Sequence, residues 1–207
     1  MSHLDTAIIS REEMLHRQRN LGITIPAEVT IVGVGGTGSW VALVLAMAGV
    51  KELHLFDSDS VEGHNLNRLP VPVWAVGTKK VGAVALVIEH LRPDVMVVAN
   101  AMRWTQGLES LLQGVVFDCT DRVEVQKDLF DSCQRLGLQY IRSGCDANNM
   151  TASSMLPWNL APAGGYGEEV PIWASPAIIA AAYAVGHAFA GWKQYSGGID
   201  RREGNGS

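Results

Sequence analysis

Clustered basic residues are missing from this sequence. Its 207 residues include 16 lysines and arginines against 21 aspartates and glutamates, which gives a net charge of −5. The closest approaches to a basic patch are the pairs Lys79-Lys80 and Arg201-Arg202. Because binding to nucleic-acid phosphates requires several clustered cations, we expect no nucleic-acid partner.

Cysteine pairs are also missing. The three cysteines, Cys119, Cys133 and Cys145, form no Cys-x-x-Cys pair and are odd in number. Structural zinc sites need closely spaced thiolates, and disulfide frameworks belong mainly to secreted chains. We therefore expect neither a zinc site nor a disulfide, and we expect each thiol to be buried and inert.

Long hydrophobic runs are absent as well. The longest, residues 177–192, is interrupted by Gly186 and His187, and it is shorter than the roughly 20 residues that a membrane-spanning helix needs. The N-terminus has no basic start followed by an apolar stretch, so we expect no signal peptide. These features predict a cytoplasmic protein without a membrane partner.

What the sequence does contain is an alternation of strand-like and helix-like segments. We predict strands at Val29–Val32, Glu52–Phe56, Val95–Ala99, Gly114–Phe117 and Gln139–Arg142. We predict helices at residues 10–20, Thr37–Met47, Lys79–Leu91 and Val123–Leu136, and a last helix capped by Ser175 with Pro176 in its first turn. This alternation is typical of a doubly wound, mainly parallel, Rossmann-like α/β sheet with flanking helices.

The domain organisation predicted from these segments is simple. Residues 1–27 form an N-terminal helical arm, residues 28–193 form one nucleotide-binding α/β domain, and residues 194–207 form a disordered tail. Residues 57–78 form a long loop, and loops of that length inside compact domains are usually functional.

A glycine-rich loop follows the first predicted strand and opens the first predicted helix. Its glycines are Gly33, Gly35, Gly36 and Gly38, and Asp57 follows the second strand. Glycines let the backbone approach phosphates, a helix N-terminus offers free N–H groups, and the acid can accept hydrogen bonds from ribose hydroxyls. This pattern predicts a nucleotide site and, taken alone, favours NAD. The structural alternative is that the glycines only permit tight packing.

The residues after Asp57 favour ATP instead. Asp59, Asn65, Arg68 and Lys80 follow within one stretch, and a triphosphate needs cations such as Arg68 and Lys80 because its charge must be neutralised. The alternatives are that Arg68 and Lys80 are solvated surface charges and that Asn65 is a turn residue.

A second acidic element ends the fourth predicted strand. Asp118 and Asp121 lie there, and the carboxyl ends of parallel strands meet at one edge of a sheet. A carboxylate at this edge can hold Mg²⁺ on the phosphates. The alternative is that one of the two acids caps the helix that begins at Val123.

With these residues the sequence resembles the ThiF/MoeB/HesA adenylyltransferases, relatives of the ubiquitin-activating enzymes. The resembling stretches, in order, are Gly-Val-Gly-Gly-Thr-Gly-Ser, Asp-Ser-Asp-Ser-Val with Asn-Leu-Asn-Arg, Val-Gly-Thr-Lys-Lys, and Asp-Cys-Thr-Asp. The resemblance implies use of ATP and Mg²⁺ to adenylate a carboxylate with release of pyrophosphate. In the family this carboxylate is usually the C-terminal glycine of a small ubiquitin-like or sulfur-carrier protein.

The family's site residues carry over one by one. The resemblance implies a ribose-binding role for Asp57, phosphate contacts for Asn65 and Arg68, a β/γ-phosphate contact for Lys80 (or Lys79, if the loop is shifted), and a magnesium-associated role for Asp121. It also implies a homodimer, because family members supply an N-terminal arginine to the partner subunit's ATP. Arg17 of the Arg17-Gln18 pair resembles that arginine, with Arg11 and Arg19 as alternatives.

The sequence departs from the family in two places. Residues 150–207 contain no cysteine, where thioester-forming members carry one, and Leu69 replaces a glutamine. We therefore expect a reaction that stops at adenylation. Two other functions stay open: an NAD-dependent oxidoreductase, which gives Arg68, Lys80 and Asp121 no role, and a non-catalytic ATP-binding subunit of an activating complex.

Overall fold

The computed structural model describes residues 9–146, 148–155 and 172–198. Its centre is a seven-stranded sheet in the order β3-β2-β1-β4-β5-β6-β7. The strands are β1 Glu28–Val32, β2 Glu52–Phe56, β3 Met96–Asn100, β4 Val115–Asp118, β5 Tyr140–Cys145, β6 Asn149–Ser153 and β7 Tyr195–Gly198. Strands β1 to β5 are parallel, and β6 and β7 extend the sheet in antiparallel pairing. The predicted α/β class is confirmed.

Five α-helices accompany the sheet within the described residues. They are α1 Arg11–Met14, α2 Gly36–Ala48, α3 Lys80–Leu91, α4 Val123–Leu136 and α5 Ala174–Phe189. Short 3-10 helices lie at His16–Gln18, Gly63–Asn67, Val73–Ala75 and Gln106–Leu111. Both α2 and α4 end at a left-handed glycine, Gly49 and Gly137, which is the usual way for a helix to stop. No helix in this part of the chain is long and apolar enough to span a membrane.

The core has two layers, one on each face of the sheet. Consecutive strand residues alternate between them, as the period of two in a strand requires: Ile31 packs with α2, α3 and α5, whereas Val32 packs on the α4 side. The same alternation separates Leu55 from Phe56 and Phe117 from Val116, so both faces of the central strands are covered.

The strand order reverses between β1 and β4, which both pair in the centre of the sheet. In open α/β sheets, ligands bind in the crevice at such a switch point, outside the carboxyl ends of the strands. The glycine loop after β1 and the acidic turn after β4 both leave the sheet at this point.

Three predictions of local structure need correction. The segment 10–20 is a short α1 followed by a 3-10 turn rather than one helix. Helix α5 begins at Ala174 with Trp173 as its N-cap, so Ser175 and Pro176 lie inside the first turn. Residues 195–198 are not disordered, because they pair with β6 as strand β7; the rest of the predicted tail, residues 199–207, lies outside the described residues.

Candidate nucleotide site

Two glycines of the loop are required by packing within the chain. Gly33 has a positive φ of 88°, and a Cβ on it would come within 2.8 Å of the Cys119 backbone. A Cβ on Gly38 would meet the Gly33 carbonyl oxygen at 1.9 Å. Both positions therefore need glycine to bring β1, α2 and the turn after β4 together. For these two glycines the alternative prediction, that they permit tight packing, agrees with the structure.

The other two glycines face a different environment. A Cβ on Gly35 would meet nothing within 4 Å, and a Cβ on Gly36 would meet only the Arg68 side chain. Gly35 is the N-cap of α2 and provides no side-chain hydrogen bond, and the first helical bond runs from Ser39 N to its carbonyl. The first backbone N–H groups of a helix have no partner within it. The start of α2 therefore offers hydrogen-bond donors beside Gly35, where the space is open.

Asp57 orients the loop through its carboxylate. Its Oδ2 accepts a hydrogen bond from the Val34 backbone N–H at 2.7 Å, and its Oδ1 accepts one from the Asp59 N–H at 2.8 Å. An ionised carboxylate has about four acceptor positions, so these two bonds leave capacity for a ribose hydroxyl. The acid predicted from the sequence thus lies directly beside the glycine loop.

The Arg68 side chain lies across the loop, with its Cδ 2.9 Å from where a Cβ on Gly36 would be. Its guanidinium donates to the His64 carbonyl at 3.1 Å and to Asn67 Oδ1 at 2.9 Å. Trp40 Nε1 donates to the Arg68 carbonyl at 2.9 Å and fixes the backbone. Burial lowers the pKa of Arg68 from its usual value, but arginine remains charged at neutral pH. The loop therefore has a fixed positive charge above it.

The two predicted lysines lie at the second strand's carboxyl end. Lys80 Nζ forms an ion pair with Asp59 Oδ2 at 2.9 Å, and its side chain is 12% exposed. The same contact holds the pKa of Asp59 below its usual value. Lys79 Nζ donates to the Ser58 carbonyl at 2.5 Å. The partly buried ammonium of Lys80, whose partner Asp59 lies two residues after Asp57 in the chain, is the better-placed cation of the pair.

Asp118 and Asp121 differ in burial and in hydrogen bonding. Asp118 is fully buried, and its carboxylate accepts bonds from the Tyr140 hydroxyl at 2.6 Å, Thr120 Oγ1 at 2.8 Å and Thr120 N at 3.0 Å. Its side chain binds this chain's own groups, so the expectation that Asp118 is one of the acids that contact the nucleotide is not met in the structure. Asp121 is exposed and makes no hydrogen bond or ion pair with any residue the structure describes; Arg122, not Asp121, is the N-cap of α4.

Asn65 is a turn residue in the structure. It is 3% exposed, and its Oδ1 accepts a bond from Glu62 N at 3.1 Å within a capping box. Its neighbour Asn67 was not among the predicted site residues; its Oδ1 accepts a hydrogen bond from Arg68 at 2.9 Å, and its Nδ2 donates to the Ile172 carbonyl at 3.1 Å. In the sequence, the one indication that Asn67 contacts Arg68 is that the two residues are adjacent.

Of the three cysteines expected to be buried, Cys133 is buried, whereas Cys119 and Cys145 are partly buried. Burial raises the pKa of Cys119 and raises that of Cys133 to about 12. Cys145 lies at the site, with its Sγ 3.4 Å from Thr37 Oγ1, and burial raises its pKa too. A thiol with a raised pKa stays protonated and poorly nucleophilic at neutral pH.

The N-terminal arginines have different surroundings. Arg11 pairs with Asp94 at 2.6 Å and donates to the Gly49 carbonyl, and Arg19 bonds to His16 at 2.7 Å. Arg17 is exposed and has no partner among the described residues. Arg17 is thus the N-terminal arginine whose guanidinium is available.

The residues at this crevice fit a nucleoside triphosphate. They provide helix N–H donors beside the open Gly35, a fixed guanidinium across the loop, and a carboxylate beside it. Across residues 9–146, 148–155 and 172–198, no three His, Cys, Asp or Glu side chains are grouped to hold a metal ion.

The sequence profile of the ThiF family matches residues 23–159. The chain belongs to the ThiF family. A curated relative, ubiquitin-like modifier-activating enzyme 5 of Culex quinquefasciatus, is 33% identical over an alignment of 135 residues, and the match covers 58% of this chain and 34% of that protein. The chain thus spans about a third of the length of the curated relatives it matches.

Solved structures share the ThiF-like fold. E. coli MccB, crystallised with ATP, has a TM-score of 0.68 at 20% identity, covering 79% of this chain and 55% of MccB. E. coli tRNA N6-threonylcarbamoyladenosine dehydratase, TcdA, has a TM-score of 0.59 at 26% identity, covering 66% of this chain and 62% of TcdA. The family resemblance drawn from the four sequence stretches is confirmed.

Proposed function

We propose that this protein is an ATP-dependent adenylyltransferase that activates a carboxylate as an acyl-adenylate and releases pyrophosphate. The observation that carries the proposal is the convergence on one glycine loop of three elements: the Asp57 carboxylate at Val34, the Arg68 side chain across Gly36, and the Cys119 backbone against Gly33.

Each residue contributes positioning or charge stabilisation. The N–H groups at the start of α2 and the guanidinium of Arg68 would bind phosphate oxygens, and Asp57 would accept from the ribose. Lys80, released from Asp59, would neutralise the β- and γ-phosphates, and Asp121 would bind Mg²⁺ carried by the nucleotide. Negative charge on the α-phosphate group is then held by fixed cations while a carboxylate oxygen attacks phosphorus. No covalent protein intermediate is required.

For the substrate we propose the C-terminal glycine of a small ubiquitin-like or sulfur-carrier protein. The similarity to a ubiquitin-like modifier-activating enzyme supports this class. The described thiols all have raised pKa values, which supports a reaction that ends at the adenylate and leaves it to an external nucleophile.

The test is ATP–pyrophosphate exchange with a panel of carrier proteins that end in Gly-Gly. We expect exchange that depends on carrier and on Mg²⁺, and we expect Asp121→Asn to lower it about a hundredfold because one metal-binding charge is lost. Asp131→Asn on the exposed side of α4 is the matched control and should retain full activity. Stabilisation by NADH but not by Mg-ATP in a thermal shift assay would contradict the proposal. ATP binding without exchange would indicate a non-catalytic subunit.

We further propose a homodimer in which Arg17 serves the partner's nucleotide. Gln18 Nε2 donates to the Ala48 carbonyl at 2.6 Å, which fixes this segment to the C-terminal end of α2. The glycine loop is at the other end of this 13-residue helix, about 18 Å away at 1.5 Å per residue. Arg17 is therefore too distant from its own glycine loop to act there.

Mixing two inactive variants tests action in trans. Arg17→Ala and Arg68→Ala each damage a different contributor to the site, and one of the two sites in a mixed dimer keeps both arginines. After subunit exchange we expect recovery of about a quarter of wild-type exchange activity. A mixture no more active than its components, or a monomeric protein in sedimentation, would refute action in trans.

A further inference from the structure

A buried hydrogen-bond network lies directly behind the acidic turn. Asp118 ends β4 and is 0% exposed, and Tyr140, the first residue of β5, is 2% exposed. The Tyr140 hydroxyl donates to Asp118 Oδ2 at 2.6 Å. The other carboxylate oxygen, Oδ1, accepts from the backbone N–H and the hydroxyl of Thr120. One carboxylate thus connects the neighbouring strand to the turn.

The same turn is fixed from two further directions. Gln126, 8% exposed on α4, donates to the Thr120 carbonyl at 2.8 Å. Arg142 Nη1 donates to the Asp118 carbonyl at 3.0 Å, with a side chain that is 12% exposed. The residue after Thr120 is Asp121, which is exposed and has no hydrogen-bond or ion-pair partner in the described part of the structure. A bonded backbone therefore presents an unbonded carboxylate.

We propose that Tyr140 is a positioning residue for Asp121: its hydroxyl fixes the Asp118 carboxylate, which holds the turn that presents Asp121 to the magnesium of the nucleotide. This inference rests on the proposed role of Asp121. A buried carboxylate must be hydrogen-bonded, and the hydroxyl is the partner that the structure gives to Oδ2. Without it the carboxylate must reorient, and its bonds to Thr120 change with it.

The ring and the hydroxyl of Tyr140 have separable roles. The ring packs edge-on against Phe130, with centroids 5.2 Å apart at 88°. Burial and the Asp118 carboxylate both raise the pKa of Tyr140, so the hydroxyl remains a donor at neutral pH. Tyr140→Phe removes the donor and keeps the packing. Tyr183→Phe is the matched control, because its hydroxyl bonds to no described residue and its ring also packs on aromatic neighbours.

Calorimetry of ATP binding with and without Mg²⁺ measures the effect. Mg²⁺ should raise the ATP affinity of wild type, and we expect this increase to be about fivefold smaller in Tyr140→Phe. The affinity for metal-free ATP should be the same in both proteins. In an Asp121→Asn background the same substitution should cause no further loss, because Tyr140 acts through that carboxylate. Tyr183→Phe should bind as wild type does. Thr120→Val, which breaks the network at its more exposed end, should reproduce the loss if Tyr140→Phe does not fold.

Three results would overturn the inference: an unchanged magnesium gain in Tyr140→Phe, an equal loss of metal-free ATP affinity, or a loss that adds fully to that of Asp121→Asn. Wild-type protein that binds Mg-ATP without catalysing exchange would refute adenylation and leave the role of Tyr140 standing. The two proposals therefore fail on different measurements.

Discussion

The two ends of α2 are completed in opposite ways. At its C-terminal end the carbonyls of residues 46–49 accept hydrogen bonds from Arg92, Gln18 and Arg11. At its N-terminal end the N-cap Gly35 provides no side-chain hydrogen bond, and a Cβ added to it would meet nothing within 4 Å. Both ends carry unpaired backbone groups in any helix, but among the described residues only the C-terminal end satisfies them with side chains.

This difference between the two ends of α2 indicates that one end contributes to fold stability and the other to nucleotide binding. Arg92 is 5% exposed and also pairs with Asp94 at 2.7 Å, so its charge is used within the fold. Arg68 lies over the open end, where its charge can meet a ligand. We expect substitutions at the C-terminal end to change the free energy of unfolding, and substitutions at the N-terminal end to change nucleotide binding and turnover.

The largest effect should follow Arg68→Ala. Loss of a fixed cation over the transferring phosphate should lower exchange activity by about 10²- to 10³-fold, while the free energy of unfolding changes by no more than about 0.5 kcal/mol. Arg135→Ala removes an exposed arginine paired with Glu109 and should leave activity intact. A large loss of stability in Arg68→Ala would erase the distinction between the two ends.

The opposite result is expected for Arg92→Ala. The substitution removes charged hydrogen bonds to two helix carbonyls and to Asp94, and it should lower the free energy of unfolding by about 2 kcal/mol. ATP affinity of the folded variant should not change. Urea unfolding and calorimetry measure the two quantities, and reduced ATP affinity with unchanged stability would contradict the prediction.

The same end should respond to acid. The hydrogen bond from Arg92 is the main reason that the pKa of Asp94 lies below its usual value of 3.8. A lowered carboxyl pKa contributes stability at neutral pH that is lost as the pH falls below the usual value. Unfolding free energies measured between about pH 6 and about pH 3, the range in which carboxyl groups titrate, should decline less in Arg92→Ala than in wild type. An equal decline would show that this pair contributes nothing.

The smallest effect comes from two alanine substitutions at open glycines. Gly82 lies inside α3 with nothing within 4 Å of an added Cβ, so Gly82→Ala should stabilise the fold by about 0.5–1 kcal/mol without altering ATP affinity. Gly35→Ala meets equally open space and should leave stability nearly unchanged while weakening ATP binding. Unaltered ATP affinity in Gly35→Ala would indicate that phosphates do not approach this residue.

The sequence predicted elements well where the signal is local. The ends of β2 and α4 agree with the prediction because an alternating strand and a left-handed glycine, Gly137, mark them directly. It failed at Tyr195–Gly198, because a short glycine-containing strand becomes ordered only through pairing with β6. The start of α5 was misplaced because local cap preferences gave way to tertiary packing.

The candidate site divides in the same way. The sequence pattern predicted the glycine loop and Asp57 because each directly follows a parallel strand, and it predicted Arg68 from its place in the long loop after β2. Only the tertiary structure distinguished Asp118 from Asp121, which are chemically identical and close in sequence. The distinction arises because Tyr140, 22 residues beyond Asp118, buries and binds one carboxylate and leaves the other to solvent.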